Sequence, residues 1–317
     1  MSDLLNLRLR QIRWEAEGIC SYEWVGTSGL ALPAFSAGAH IDLHLPQQMV
    51  RSYSLINDPA ETFRYMIAVQ FDAQGRGGSN WMHHAPRVGQ VLQASAPSND
   101  FALADSTAPA VFIAGGIGIT PILTMLNRLN RLQRPWQLHY AARSVQTAAF
   151  VDEVVALAGD AHPLALCLGA VGEDRLDLAR IVAEAPAAAH LYCCGPARMI
   201  DAFTAACASL PPARVHTERF AASSEAATAG GFEVLLQRSG QRVPVLAGQT
   251  ILDALLDRSI DVRYACSAGV CGTCRTQVID GTPDHRDDYL SDDEKASNES
   301  IMICCSGSKS RMLVLDL

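Results

Sequence analysis

The chain has no basic stripe: 25 Lys and Arg stand against 33 Asp and Glu, a formal charge of −8. That balance argues against nucleic acid as the main partner, because phosphate binding needs a concentrated positive face. The first residues, Met1-Ser2-Asp3-Leu4-Leu5-Asn6, lack the basic n-region and apolar h-region of a secretory signal. An unbroken apolar span is missing too. Ser106–Asn127 carries no charge, but Pro109, Gly115, Gly116, Gly118 and Pro121 interrupt it, whereas a transmembrane helix needs about 20 continuous apolar residues. A soluble, cytoplasmic chain is expected, with no membrane and no nucleic acid among its partners. There is no internal repeat. Hydrophobic residues make up 49% of the 317 positions, which excludes a disordered chain and leaves room for two or three domains.

Cysteine is the residue in excess. Ten are present, and five of them fall between Cys266 and Cys305. Without a secretory signal, such crowding points to metal binding or redox work rather than to disulfides.

Three textures follow one another. Up to residue 104, Leu5-Leu7-Leu9 and Ile41-Leu43-Leu45 alternate with polar neighbours, and further strands are expected at Ser52–Leu55 and Tyr65–Phe71. Gly38, Pro46, Pro59 and Gly75 punctuate them, which suggests a small antiparallel β-barrel. From 105 to 222, strands at Ala110–Ala114, Gln137–Ala141, Leu164–Leu168, His190–Cys194 and Arg214–Glu218 alternate with helical stretches. Those helices are expected at Pro121–Leu132, Ala148–Leu157, Leu178–Ala185 and Ala197–Ala208, the rhythm of a doubly wound α/β domain. Residues 223–317 form the third part. The small, polar run Ala221–Gly231 reads as a flexible linker, followed by strands at Phe232–Gln237 and Gln241–Val245 and a helix at Thr250–Arg258.

The cysteine cluster reads Cys266-Ser267-Ala268-Gly269-Val270-Cys271-Gly272-Thr273-Cys274, then 29 residues, then Cys304. This C-x4-C-x2-C…C spacing is that of plant-type [2Fe–2S] proteins. Two irons need four thiolates; a tight loop supplies three, and the fourth comes from a distant strand. Small loop residues let backbone N–H groups approach the sulfurs. A structural zinc site is the plainer alternative, but zinc pairs repeat as C-x2–4-C in two separated halves. Cys305 adjoins Cys304, and only one of two neighbouring strand residues can face inward; Cys304 is the expected ligand.

Two further motifs suit nucleotides. Arg51-Ser52-Tyr53-Ser54 offers a guanidinium fork for phosphate, an aromatic face and a hydroxyl, and Gly75-Arg76-Gly77-Gly78-Ser79 precedes a short helix near Asn80–His84. Glycine N–H groups at a helix start suit a phosphate, although a hairpin turn has the same composition. Ala114-Gly115-Gly116-Ile117-Gly118-Ile119-Thr120-Pro121 follows an apolar strand and opens a helix, with Thr120 expected at the N-cap and Pro121 at the first helical position. Pro121 stands where the third glycine of G-x-G-x-x-G would be. Cys194-Gly195-Pro196 is a second strand-to-helix turn. Histidines His40, His83 and His84 have no carboxylate spacing that would make them metal ligands.

Arg-x-Tyr-Ser, the glycine turn with its proline, the cysteine spacing and Gly248-Gln249-Thr250-Ile251-Leu252-Asp253-Ala254-Leu255 together resemble the phthalate dioxygenase reductase family, with vanillate demethylase reductases as close relatives. The resemblance spans essentially the whole chain. It implies a multidomain protein: an antiparallel β-barrel flavin domain, an α/β doubly wound nicotinamide-nucleotide domain and a β-grasp, plant-type ferredoxin domain. It assigns Arg51, Ser52, Tyr53, Ser54, Gly77, Gly78, Ser79, Thr120 and Phe220 to FMN, with Phe220 covering the flavin. To NADH it assigns Gly115, Gly116, Gly118, Pro121, Arg143, Ser144, Cys194, Gly195 and Pro196. Cys266, Cys271, Cys274 and Cys304 are the implied cluster ligands. No adenine pocket is evident, which favours FMN over FAD. Arg143 after the second strand suits a 2′-phosphate, whereas the resemblance implies NADH.

The implied activity is that of an NADH-dependent oxidoreductase, the reductase component of a multicomponent Rieske-type oxygenase. Hydride arrives as a pair of electrons and a [2Fe–2S] cluster accepts one, so the flavin connects them and no catalytic acid or base is needed. The protein partner is then the oxygenase, and the reductase itself is expected to be a monomer. Two rivals are a self-contained flavoprotein hydroxylase and a flavin or iron–sulfur redox sensor. Asp284–Glu294 holds six acidic residues and one arginine. They either steer a basic partner or form a solvated loop with helix-start carboxylates.

Overall fold

The computed structural model describes residues 4–47, 49–169 and 176–317. The chain divides into two compact units, Met1–Arg219 and Phe220–Leu317.

The first unit begins with β1 (Leu5–Ala16), β2 (Ile19–Gly26), β3 (His40–His44), β4 (Val50–Ser54), β5 (Tyr65–Gln70), the short helix α1 (Gly78–His84) and β6 (Val91–Ala94). The strands form one sheet in the order β4-β3-β6-β1-β2-β5, paired antiparallel throughout. It curls until Leu55, just past β4, bridges Ile67 of β5, which brings the two edges together. Leu7, Leu9, Tyr22, Trp24, Ile41, Leu43, Tyr65 and Ile67 fill the interior. Strand β2 was not expected from the sequence. Its residues Ser21 to Trp24 are buried in succession; Tyr22 and Trp24 alternate with polar Ser21 and Glu23, but the apolar Ile19, Cys20 and Val25 on either side blur this short period-two signal.

The same unit continues with β7 (Ala110–Gly115), α2 (Ile119–Arg131), β8 (Trp136–Ala142), α3 (Val151–Ala158), β9 (Leu164–Leu168), α4 (Leu178–Glu184), β10 (His190–Cys194), α5 (Ala197–Ala206) and β11 (Val215–Glu218). Their parallel sheet has the order β11-β10-β7-β8-β9. Central strand β7 is buried at every position, as a strand covered on both faces must be. Chain order reverses between β7 and β10, and the crevice beyond their C-terminal ends is where such sheets bind nucleotides.

The barrel and the parallel sheet share a core. Ala16, Ile19, Ala37 and Phe101 pack in one cluster with Phe112, Leu123 and Leu126. Two hydrogen bonds cross the seam: Gly38 N–H donates to Thr124 Oγ1 at 2.8 Å, and Ala104 N–H donates to the Tyr192 hydroxyl at 2.8 Å.

The second unit comprises β12 (Phe232–Leu236), β13 (Arg242–Val245), α6 (Ile251–Leu256), β14 (Arg275–Asp280), β15 (Pro283–Asp284), α7 (Asp292–Ser297), β16 (Ser300–Met302), β17 (Gly307–Ser308) and β18 (Met312–Leu315). Its main sheet runs β13-β12-β18-β14-β16, with β12 and β18 parallel at the centre. Thr250 caps α6 in a reciprocal capping box with Asp253. The run 221–231 does not hang free of this unit. Ala222 N–H reaches the Ala268 carbonyl at 3.0 Å, and Ala227 N–H reaches that of Cys305 at 2.8 Å. Ser223 gives both its N–H and its hydroxyl to the Asp288 carboxylate. Small-residue composition predicts flexibility but is blind to partners for the backbone.

Among the described residues no helix is long and apolar enough to cross a membrane.

Gly38 marks how closely the barrel and the parallel sheet approach. Its φ is +94°, and a Cβ there would lie 2.0 Å from the Phe101 carbonyl oxygen. Gly38→Ala therefore combines backbone strain with a backbone clash. We expect it to cost at least about 2 kcal/mol, read as a lowered thermal midpoint, with Gly18→Ala, where a Cβ meets open space, as the milder control.

Candidate flavin, nucleotide and iron–sulfur sites

On β4, alternation sets Arg51 and Tyr53 on one face and Ser52 and Ser54 on the other. Arg51 lies across the glycine loop: its guanidinium donates to the carbonyls of Val50 at 2.8 Å and Arg76 at 2.7 Å. A Cβ on Gly78 would meet the Arg51 side chain at 2.8 Å, so this glycine is needed for the arginine to lie there. Gly77 stands at the helix start with φ +81°, and no side chain caps α1. The loop thus places a cation beside uncapped N–H groups, a donor set that fits a phosphate. Tyr53 is half-buried, and burial pushes its hydroxyl pKa up to about 12. Two hydroxyls of the expected set are already engaged. Ser52 donates to Asp42 at 2.5 Å, while Ser79 closes the loop on Asp72. Ser54 is buried. Phe220, at the start of the second unit, is 41% exposed.

The nucleotide turns sit at the switch point. Gly115 ends β7, Gly116 takes φ +54°, and residues 116–118 make one tight turn before α2. Gly118, not Thr120, is the N-cap of α2. Thr120 lies inside the first turn with its hydroxyl on the Ile117 carbonyl at 2.8 Å, and Pro121 is the third helical residue. The tight turn starts the helix two residues earlier than expected, because it feeds directly into helical geometry. Pro196 caps α5. The two turns touch through their backbones: a Cβ on Gly118 would lie 2.2 Å from the Cys194 carbonyl oxygen, and one on Gly115 would lie 2.7 Å from Pro196. Gly115, Gly118, Cys194, Gly195 and Pro196 are therefore one constellation. Arg143 follows β8, whose Ala141 pairs with Gly115; it is exposed at the same edge. Ser144 caps the following turn in a reciprocal box with Thr147.

Glu218 is the group that sequence reasoning passed over. It pairs with Cys194 in the parallel sheet, and the Cys194 thiol lies 3.9 Å from its carboxylate. Burial, then the nearby Asp100 charge, raises its pKa to about 8. It is therefore largely protonated at neutral pH and adds little negative charge beside the nucleotide turn. An acidic residue closing a strand of the parallel sheet was the available signal. Cys193 and Cys194 are fully buried thiols whose pKa values burial pushes up, which makes them poor nucleophiles.

In the second unit, Ser267, Gly269 and Gly272 adopt φ of +51°, +74° and +75°, and these left-handed positions wrap the cysteine loop. A Cβ on Gly269 would lie 2.6 Å from Cys305 Sγ, and one on Gly272 would lie 2.2 Å from the Tyr289 ring. Cys266 and Cys271 hydrogen-bond one another, as do Cys274 and Cys304. The Cys266 bond lowers the Cys271 pKa to about 6. Ala268 N–H points at Cys266 Sγ at 3.2 Å. Among the described residues no three ligand groups converge on a single point; the thiols fall two and two, which fits a binuclear cluster with two thiolates per iron. Cys305 hydrogen-bonds Cys304 as well, and its sulfur also approaches the Met302 carbonyl and the Ser306 hydroxyl.

The acidic stretch is mostly committed within its own unit. Asp287 is buried and accepts the Leu290 N–H at 2.8 Å, Asp288 holds Ser223, Asp284 pairs with Arg286 and Glu294 with Arg275. Asp292 and Asp293 occupy the first turn of α7 behind its cap, Ser291, where carboxylates favour the helix dipole.

A crevice suited to flavin and nucleotide in one unit and a three-cysteine loop joined by Cys304 in the other define a flavin-dependent iron–sulfur oxidoreductase. The profile of the 2Fe-2S iron-sulfur cluster binding domain matches residues 234–308. Over 99% of its length the chain is 51% identical to phenoxybenzoate dioxygenase subunit beta of Ectopseudomonas oleovorans, covering 97% of that protein. It is 46% identical to tetrachlorobenzoquinone reductase of Sphingobium chlorophenolicum, covering 99% of this chain and 98% of that one. The crystal structure of phthalate dioxygenase reductase, described as a modular structure for electron transfer from pyridine nucleotides to [2Fe-2S], superposes with a TM-score of 0.85 at 36% identity, covering 99% of this chain and 98% of that one. The chain belongs to the phthalate dioxygenase reductase family.

Two predictions follow from this geometry. Glu218 keeps its proton to about pH 8 when folded but only to about 4.5 otherwise, so its contribution to stability is complete below 4.5 and is lost as pH rises through 8. Glu218→Gln should raise the thermal midpoint relative to wild type at pH 8.5 and leave it level at pH 4.5. Of the two adjacent cysteines, Cys304→Ala should abolish incorporation of both irons, measured as iron per chain, while Cys305→Ala should retain them.

Proposed function

We propose that the protein is the NADH-dependent reductase component of a multicomponent Rieske-type oxygenase, with FMN on the β4 and glycine-loop cradle, NADH on the paired glycine turns and a [2Fe–2S] cluster on Cys266, Cys271, Cys274 and Cys304. The observation that carries this reading is the contact of the Gly115–Gly118 and Cys194–Pro196 turns within the unit that also holds Arg51 and Tyr53. A flavin held there would supply the conversion of two-electron hydride chemistry into single-electron donation. The chain's own residues supply positions for these groups. Arg51 and the Gly77–Gly78 backbone hold the phosphate, and Tyr53 offers its ring. Gly115 and Gly118 remove the side chains that would separate nucleotide from backbone. The Cys266 loop presents N–H groups to sulfur, which favours the added negative charge of the reduced state. Ser52, Ser79 and Thr120 contribute through loop and helix geometry, since their hydroxyls are engaged. Arg143 and Ser144 border the adenosine end of the nucleotide.

NADH is preferred over NADPH despite Arg143, whose exposed guanidinium serves equally well on a pyrophosphate. Ten free thiols suit the reducing cytoplasm, and the reductase acts as a monomer that meets its oxygenase transiently. A quinone acceptor is the second reading, favoured by the likeness to the tetrachlorobenzoquinone reductase.

Under anaerobic conditions the purified protein should show a flavin band with a cluster shoulder, both bleached by NADH. A colourless protein would sink the assignment of cofactors. A kcat/KM for NADPH more than about tenfold above that for NADH would overturn the nucleotide choice, a factor worth about 1.4 kcal/mol. Reduction of a Rieske oxygenase in a coupled assay, set against direct reduction of a benzoquinone, separates the two acceptors.

A further inference from the structure

At the C-terminal end of α2 the first unit holds a cavity of about 370 Å³, within the range of small-molecule sites. The barrel contributes Phe35 and Pro59 to its walls, the connector Leu103, and the end of α2 with the residues beyond it Arg128, Arg131 and Arg134. It is separate from the flavin and nucleotide turns. Helix α2 begins at those turns, and the 11 residues from Thr120 to Arg131 carry the chain roughly 16 Å away.

Three guanidinium groups in one cavity run against the chain's net charge of −8. Arg131 pairs with Asp58 at 3.5 Å. Asp105, the other carboxylate on the wall, is exposed, so water screens it. Arg128 makes no ion pair among the described residues. Arg134 gives one N–H to the Ala108 carbonyl at 3.2 Å, but its Nε is enclosed without an acceptor. That Nε faces the protein interior rather than the cavity, so what Arg134 offers a ligand is its positive charge and the ends of its guanidinium. Favourable placement at a helix C-terminus accounts for Arg128 and Arg131. It does not account for Arg134, which lies beyond the helix. Around this positive end the lining is mainly apolar, and Leu132 leaves 42% of its surface exposed there.

We propose that this cavity is a binding site for a small organic anion with an apolar body, an aromatic monocarboxylate being the class that matches it. The ring lies against Phe35, Pro59 and Leu103, and the carboxylate takes charge-assisted hydrogen bonds from Arg128 and Arg134. Because barrel, connector and α2 all line the cavity, a bound anion tethers the flavin-bearing part of the unit to the nucleotide-bearing part.

The test uses the full-length holoprotein and isothermal titration at fixed ionic strength. Its probes are benzoate, benzyl alcohol (the same body without charge) and inorganic phosphate (charge without the body), with benzoate titrated again in the presence of excess NAD⁺. Benzoate should bind once per chain, at least about tenfold more tightly than either other probe, and be unaffected by NAD⁺. Arg128→Gln, a change at an exposed position, and Arg134→Gln should each weaken it about tenfold, with an unchanged flavin spectrum showing that each variant is folded. Four outcomes would overturn the proposal: no benzoate binding, equal binding of benzyl alcohol or phosphate, competition by NAD⁺, or unaltered affinity in Arg128→Gln.

Discussion

Two loops of the parallel sheet meet backbone to backbone, and the nucleotide crevice depends on that contact. With Gly118 set against the Cys194 carbonyl and Gly115 against Pro196, no side chain larger than hydrogen fits between the ends of β7 and β10. Any Cβ at Gly118 would push the two turns apart. The strands themselves are held by a ladder of five residue pairs, so the strain would fall on the turns. These are the segments to which the proposed function assigns the nucleotide. The absence of side chains is thus a positive requirement, and the apolar runs of β7 and β10 provide the rigid frame that makes it effective.

The cluster loop applies the same principle with a different neighbour. Gly269 gives its side-chain space to the Cys305 sulfur and Gly272 to the Tyr289 ring. Both adopt left-handed φ, so each would suffer twice on substitution. The segment 221–231 adds hydrogen bonds onto the same neighbourhood, on Ala268 and Cys305. Cys305, which has no place among the expected ligands, therefore has a packing role: it is the surface against which the loop folds. Free buried cysteine commonly behaves in this way, as a small hydrophobe.

Much of the architecture was legible because periodicity and punctuation agreed. Strands β9 and β10 were placed at their observed limits, and the cysteine spacing identified its chemistry without help from structure. What escaped had physical causes. Strand β2 alternates only over Ser21–Trp24, a short stretch blurred by apolar Cys20 and Val25 on either side. The α2 cap moved to Gly118 because a tight turn precedes the helix, a preference that N-cap residue types do not encode. The hydroxyls of Ser52, Ser79 and Thr120 are taken up by local carbonyls and a carboxylate, as short hydroxyl side chains commonly allow, and residue type alone does not announce such partners. The three-arginine cavity joins residues about a hundred positions apart, and no local pattern announces such a meeting.

Electrostatics shows most clearly how a count differs from a field. The formal −8 treats Glu218 as charged, although burial and Asp100 keep it largely protonated at neutral pH. It also treats Asp284–Glu294 as an acidic surface, although Asp287 is buried, and Asp284, Asp288 and Glu294 each serve a partner within the unit. What remains outward is Asp288, whose partner Ser223 is neutral, with Asp292 and Asp293 at a helix start. Long-range attraction to a basic partner scales with uncompensated, exposed charge and decays over about 8 Å at physiological salt. Of six carboxylates the stretch projects three, and the other three serve as internal scaffold of the cluster unit.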